Sequence, residues 1–262
     1  MNKTFCLMLA GAVAVGVAFP AAAPGAAHVL PLRVAMEPSC GVAQAVPVRV
    51  GPLPRFAAAL AGRARLRIVA IGSSSTQGIG ASRPGAAYPA QLQEMLQAGL
   101  PREQVEVLNL GVGGEAAAQT AERLRRDVPA LAPDLILWQV GTNDGLKGVA
   151  PEDYAQTLAE TLQFLKTQRV DVVLVGMQWT RQFAANANYM AVRAATARVA
   201  AQQGVPLVSR FDAMKHVAEL SGREDQIGPD LLHPNDQGYR CMAEQVAFTL
   251  ARAVGGESRP KM

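Results

Sequence analysis

The chain is short of the residues that build metal and redox centres. Its 262 residues hold three histidines and three cysteines. At their spacings these form no recognisable zinc ligand set, so a metal site is not expected. Aromatic residues make up only 5%, and no dense Lys/Arg tract interleaves with them. That argues against nucleic-acid binding. The formal charge of +4 is modest, and the scattered basic residues suit a solvated surface. Nucleotide-binding loops are also missing. The Gly/Ser loop at 72–76 lacks the lysine of a P-loop, and neither Gly78-Ile79-Gly80 nor Gly111-Val112-Gly113 continues into a dinucleotide fingerprint. No cofactor is implied, and no internal repeat is present.

What is there is a half-hydrophobic chain, 50% by composition, long enough for one large domain with a full core. Residues 1–27 have the make-up of a signal peptide. Lys3 precedes an apolar run from Phe5 to Phe19, and small residues follow. Pro24 hinders a cut after Ala23, which leaves Ala26 or Ala27. The competing reading is an uncleaved anchor, but the run is short of the roughly 20 residues of a bilayer span and Pro20 interrupts it. The expectation is an exported protein, periplasmic or secreted, with no stable membrane insertion once the signal is removed. Cys6 sits in the apolar run without the context of a lipidation site. Cys40 and Cys241 then remain, a pair that permits a disulfide in an oxidising compartment; two unpaired thiols are the alternative. Cys241 falls off the final helix's apolar stripe of Tyr239, Met242, Val246 and Leu250, so a meeting with the N-terminal segment at the surface is expected.

Residues 28–65, rich in Pro, Ala and Val, read as an extension wrapping the domain. Residues 66–256 form the domain, and 257–262 a tail. Short apolar runs at 66–71, 105–110, 135–140, 170–175 and 205–208 predict five strands. Helical spacing at 88–100, 116–131, from Pro151, and at 188–203 separates them, and Asn235 caps a last helix. Strands that are continuously apolar and alternate with helices indicate a parallel sheet covered on both faces, a three-layer α/β/α domain. In such sheets ligands bind outside the carboxyl ends of the strands.

The loops at those ends carry the chemistry. Ser74 lies in the Gly72-Ser73-Ser74-Ser75-Thr76 turn and is the candidate nucleophile. A serine hydroxyl needs a base. His233 is the candidate, with Asp230 three residues earlier to hold its tautomer. Gly114, in the loop from Asn109, and Asn143, in Gly141-Thr142-Asn143-Asp144, are candidate oxyanion donors beside the backbone N–H of Ser74. Each motif alone has an ordinary reading as a turn or a cap; their recurrence at successive strand ends carries the argument. His28 and His216 are rivals for the base. His28 lies beside the cleavage site and His216 lacks a strand-end context. Thr76 stands where a nucleophile elbow needs its second glycine, which argues against the α/β-hydrolase arrangement.

These four blocks resemble the SGNH hydrolases, the GDSL esterase/lipase family, over residues 66 to 252. One departure is Ser73, where the family has Asp. The resemblance implies a flavodoxin-like fold with a five-stranded parallel sheet. It also implies hydrolysis of carboxylic esters through an acyl-serine, with catalytic Ser74, Asp230 and His233 and oxyanion donors Ser74, Gly114 and Asn143. Gln178 and Trp179, with Phe183 and Tyr189, are candidate pocket residues, with a packed loop as the alternative. A small-molecule or carbohydrate ester with a short acyl group is the expected substrate. Lysophospholipase or thioesterase activity, an acyltransferase, and a non-catalytic carbohydrate-binding protein are the alternatives.

Overall fold

The computed structural model describes Cys40 and residues 51–62, 65–100 and 104–255. The expected signal peptide, most of the extension and the tail lie outside the described residues.

In chain order the elements are α1 (Pro54–Gly62), β1 (Arg65–Gly72), α2 (Ser74–Gln77), α3 (Tyr88–Gly99), β2 (Gln104–Gly111), α4 (Ala117–Leu131) and β3 (Leu135–Gln139). There follow α5 (Thr142–Leu146), α6 (Pro151–Thr167), β4 (Asp171–Val175), α7 (Arg181–Ala184), α8 (Ala187–Gln203), β5 (Leu207–Val208), α9 (Arg210–Ser221) and α10 (Asp236–Ala253). The sheet has five strands in the order β2-β1-β3-β4-β5, all parallel. This is the three-layer α/β/α arrangement with the flavodoxin-like strand order.

The continuous apolar strands have a direct cause. Successive side chains point to opposite faces, and here both faces are buried. Val69 and Ile71 of β1, Ile136 and Trp138 of β3, and Val172 and Leu174 of β4 join one core with α4, α6 and α8. Their alternates Ile68 and Ala70, Leu135 and Leu137, Val173 and Val175 join a second core with α1, α3 and α10. Two long helices start where the chain supplies a cap. Asn186 accepts from the N–H of Tyr189 at 2.9 Å to open α8, and Asn235 accepts from Gly238 at 3.0 Å to open α10. Within the region read as an extension, α1 packs Phe56 and Leu60 into the second core, and Asp171 Oδ2 accepts the N–H groups of Arg55 and Phe56 at 2.9 and 3.0 Å.

β5 is shorter than the apolar run at 205–208. Val205 N–H closes the end of α8 on Ala200 O, and Pro206 has no N–H to give; only its carbonyl joins the sheet, accepting from Leu174 at 2.9 Å. Helix α9 occupies a stretch whose apolar residues show no clear stripe in the sequence. Cys40 and Cys241 are joined as a disulfide, with Cα atoms 5.6 Å apart. The expectation of a surface meeting is corrected: Cys241 is 1% exposed, because α10 is covered on more than its apolar stripe. No helix among the described residues is long and apolar enough to cross a membrane.

The register fixes where the site lies. Gly72 pairs with Gly111, Ile71 with Trp138, Gln139 with Val175, and Val175 with Val208. All strands therefore end at one level, and their following loops open on one edge.

Candidate active site

β1 ends at Gly72, where a Cβ would lie 2.5 Å from Thr76 Oγ1 and 2.7 Å from Gln139 O, so no larger residue fits. The chain then turns into α2, with the N–H groups of Thr76 and Gln77 donating to Ser73 O at 3.0 Å. Ser73 is buried, and both its N–H and its hydroxyl donate to Gln139 Oε1, at 2.9 and 3.1 Å; Thr76 Oγ1 donates to the same oxygen at 3.2 Å. A glutamine carbonyl thus gathers three donors and braces the loop in which the family resemblance would expect Asp. Ser74, the first residue of α2, is half-buried.

The Gly114 loop lies against this turn. A Cβ on Gly113 would be 4.0 Å from Ser74 Cβ, and Gly113 N–H donates to Gln77 Oε1 at 2.8 Å. Gly114 has φ +79° and would meet nothing with a Cβ, so its need for glycine is one of backbone conformation rather than room. The Asn143 loop is tied to it at three points. Asn143 Nδ2 donates to Glu115 O at 2.7 Å, Lys147 Nζ donates to Gly114 O at 2.6 Å, and Asp144 accepts the N–H of Ala117 at 2.9 Å. Burial pushes the Asp144 carboxyl above the usual range, against the opposing pull of the Ala117 N–H. Asn143 donates one amide hydrogen to Glu115 and carries a second.

Asp230 Oδ2 lies 2.5 Å from His233 Nδ1, and Asp230 Oδ1 accepts the backbone N–H groups of Leu232 and His233 at 3.0 and 2.9 Å. Burial works against ionisation of Asp230, but the bonds from the His233 ring and from the two N–H groups outweigh it and bring the carboxyl down to about 2. With Nδ1 engaged, Nε2 is the ring nitrogen left for proton transfer. The turn is closed by Gly228 N–H donating to His233 O at 2.8 Å. The chain just after Ser74 is fastened to it. Tyr239 donates to Ile79 O at 2.6 Å, Ser82 N–H donates to Asp236 at 2.8 Å, and a Cβ on Gly80 would be 3.0 Å from His233 Cβ. The structure therefore brings the serine loop and the histidine loop into contact. No hydrogen bond directly joins Ser74 to His233 among the described residues. His216 lies on α9, and His28 lies outside the described residues.

Gln178 and Trp179 are 1% and 7% exposed. Gln178 Oε1 accepts from Ser75 Oγ at 3.3 Å and from Arg210 at 2.6 Å, while its Nε2 donates to Leu232 O at 2.5 Å. Its amide is thus taken up by protein, as a strut between the serine loop and the histidine loop. Trp179, Phe183 and Tyr189 pack in the first core. A cavity of about 270 Å³ opens beside Met177, Arg193, Ser209 and Phe211, and none of the candidate catalytic residues lines it. Among the described residues no group of three His, Cys, Asp or Glu side chains is placed to hold a metal ion.

Sequence reasoning missed Gln139 and Arg210. The signal for Gln139 is a polar residue at the end of an otherwise apolar strand. For Arg210 it is a cation directly after the last strand; it is 2% exposed, and burial lowers its pKa.

The chain has relatives of known name. It is 27% identical over 173 residues to the Escherichia coli K12 protein named thioesterase 1/protease 1/lysophospholipase L1, covering 66% of this chain and 78% of that protein. Among solved structures it superposes on TesA with a TM-score of 0.62 at 25% identity, over 71% of this chain and 99% of that one. It superposes on a two-domain esterase (CEX) active on acetylated mannans with a TM-score of 0.68 at 23% identity. That likeness covers 82% of this chain but only 57% of the esterase. The Non-GDSL lipase-like family matches residues 39–256. With the four loops assembled on one sheet edge, the chain belongs to that family, within the SGNH hydrolases.

Proposed function

We propose that the protein is an exported serine-dependent carboxylic ester hydrolase. Ser74 Oγ attacks the ester carbonyl carbon while His233 Nε2 takes its proton. Asp230, ionised and bonded to Nδ1, holds the ring and stabilises the imidazolium. The negative charge on the carbonyl oxygen meets the N–H groups of Ser74 and Gly114 and the Asn143 amide. The intermediate then expels the alcohol, which takes the proton back from His233, and leaves an acyl-Ser74. Water, deprotonated by His233, attacks the acyl carbon; the second intermediate collapses by breaking the bond to Ser74 Oγ, which takes the proton back from His233 as the acid leaves.

The observation that carries this reading is the Asp230–His233 pair at 2.5 Å, in a turn fastened to the chain that follows Ser74. Supporting it are relatives named as a thioesterase and lysophospholipase and as esterases. Export rests on the composition of residues 1–27.

The test is hydrolysis of p-nitrophenyl esters by the wild type and by Ser74→Ala, with mass analysis of the adduct formed by a fluorophosphonate. Activity lost in the variant and label on Ser74 are expected; equal rates reject the enzyme. Asn143→Ala should lower kcat by about 10²–10³ with little change in KM, the usual loss for one oxyanion donor.

A further inference from the structure

The cavity of about 270 Å³ takes no part in the hydrolysis described above. It is walled by the chain leaving β4, by β5, by α8 and by the first turn of α9. Met177, Leu207 and Phe211 give it an apolar interior. Its volume is near the lower end for small-molecule sites, where a few polar groups orient a mostly apolar ligand.

The charge on this lining is unbalanced. Two arginines, Arg193 and Arg210, and one acid, Asp212, contribute to it. Arg193 engages the acid, donating from Nη2 to Asp212 Oδ1 at 2.6 Å. Arg210 has no acid partner. Its Nη1 lies 3.3 Å from Met242 Sδ, its Nη2 donates to the neutral Gln178 Oε1 at 2.6 Å, and its Nε has no hydrogen-bond partner among the described residues. Its ionisable neighbours are Tyr88, Tyr189 and Tyr239, whose hydroxyls burial keeps protonated. An arginine holds its charge at any ordinary pH, and a buried charge without a counter-ion is costly. An anion from outside would relieve that cost. The start of α9 adds to the pull. Its N-cap, Ser209, makes no capping bond, since the hydroxyl donates to Asp212 instead. The N–H groups of Arg210 and Phe211 have no acceptor among the described residues. A helix N-terminus with free N–H groups favours negative charge.

The same walls back onto the catalytic loops. Met177 is packed against the segment that carries Asn143: a Cβ on Gly141 would be 2.9 Å from Met177 Cγ, and one on Gly145 would be 3.1 Å from Met177 Cε. Arg210 reaches Leu232 O, next to His233, through Gln178.

We infer that this cavity is an effector site for a small organic carboxylate, its acid group held by the two arginines and the first turn of α9 and its apolar body by Met177 and Leu207. Binding is independent of the serine-hydrolase reading; the effect on turnover rests on it. A bound carboxylate competes with Gln178 for Arg210 and slackens the strut to the histidine loop, so occupancy lowers kcat. Inorganic phosphate would meet the same cations but leave the apolar walls without a partner.

The test titrates Ser74→Ala calorimetrically at fixed ionic strength, with benzoate, hexanoate, benzyl alcohol and inorganic phosphate as probes. The two carboxylates should bind one to one, and the neutral alcohol and phosphate at least about tenfold more weakly. Arg210→Met should weaken benzoate about tenfold or more. Asp212→Asn keeps an oxygen for Arg193 but removes the competing charge, so it should tighten benzoate by roughly three- to tenfold. Misfolding does not produce that opposite change. Arg198→Met, exposed on α8 and away from the cavity, should have no effect. In the wild type, saturating benzoate should lower kcat on p-nitrophenyl acetate at least about twofold with KM unchanged, and Asp212→Asn should reach that level at lower benzoate. Absence of saturable binding, or benzyl alcohol or phosphate binding as tightly as benzoate, would overturn the site. A rise in KM alone would also overturn it, by placing the acid among the catalytic residues, and an unchanged kcat at saturation would remove the effector role. Benzoate bound by Ser74→Ala while the wild type cleaves no ester would strike the hydrolase reading and leave the carboxylate site standing.

Discussion

Gln139 Oε1 receives the backbone N–H of Ser73 at 2.9 Å and its hydroxyl at 3.1 Å, across 66 residues of sequence. Thr76 adds a third donor to the same oxygen. The turn that presents Ser74 is thus braced from the end of β3 by a neutral side chain, and Ser73 serves as donor to it. Gln139→Met fills a similar volume but strands buried donors. It should lower unfolding free energy by about 1–3 kcal/mol and reduce kcat at least tenfold at temperatures where the fold persists. Urea unfolding and ester kinetics on the same preparation check both; wild-type kcat in a folded variant would refute the bracing role.

The strut from Arg210 through Gln178 to Leu232 O predicts an asymmetry. Gln178→Leu leaves a buried cation without its carbonyl acceptor, which should cost about 3–5 kcal/mol. Arg210→Met removes the charge and leaves a neutral amide still bonded to Leu232 O, at a cost nearer 1 kcal/mol. Paired denaturation curves measure this directly. Equal losses, or a larger loss in the arginine variant, would contradict the arrangement.

Asp230 has a pKa of about 2 in the folded protein, below the roughly 3.9 of an unfolded chain. Its contribution to stability is therefore complete above pH ~3.9 and lost as pH falls through about 2. The contribution is small because half of the side chain is exposed. A ¹³C carboxyl titration should find a midpoint near 2; a midpoint near 3.9 would remove the pairing. Asp230 therefore stays ionised well into the acid range. Asp230→Asn should reduce kcat by up to about 10⁴, as amide replacement does in a Ser-His-Asp triad.

The Cys40–Cys241 disulfide closes a sequence separation of 201 residues. Cys241 Sγ also lies 3.5 Å from Gln226 Nε2, and Gln226 O accepts the N–H of Asn235 beside the Asp230–His233 turn. Replacing both cysteines by alanine should lower unfolding free energy by about 3–5 kcal/mol. Identical denaturation midpoints for the wild type with and without reductant would show that the bridge adds nothing.

Much of this was legible from local pattern. Continuous apolar runs marked the central strands, because a sheet buried on both faces leaves few polar positions along them; the edge strand β2, which carries Glu106 and Asn109, is only partly buried. The four loop motifs marked one edge, because parallel strands in register end together. The bracing residues were not legible. Gln139 looks like a lapse in an apolar run, and Gln178 like a pocket residue, until their partners are seen across 66 and 32 to 103 residues. A hydrogen-bond partner at such distance leaves no mark on local spacing. Likewise the sequence permitted the disulfide but had no means to bring Cys40 to Cys241.

Sequence alone determined the layered fold, the order of its strands along the chain and the residue types offered at its carboxyl edge. Periodicity and short motifs are local properties, and a handful of neighbouring residues suffices to write them. Tertiary structure decided which imidazole nitrogen meets the acid, what takes the place of the missing aspartate at position 73, and that Gln178 ties the serine loop to the histidine loop. Those outcomes depend on through-space packing between segments that are neighbours only after the sheet has formed.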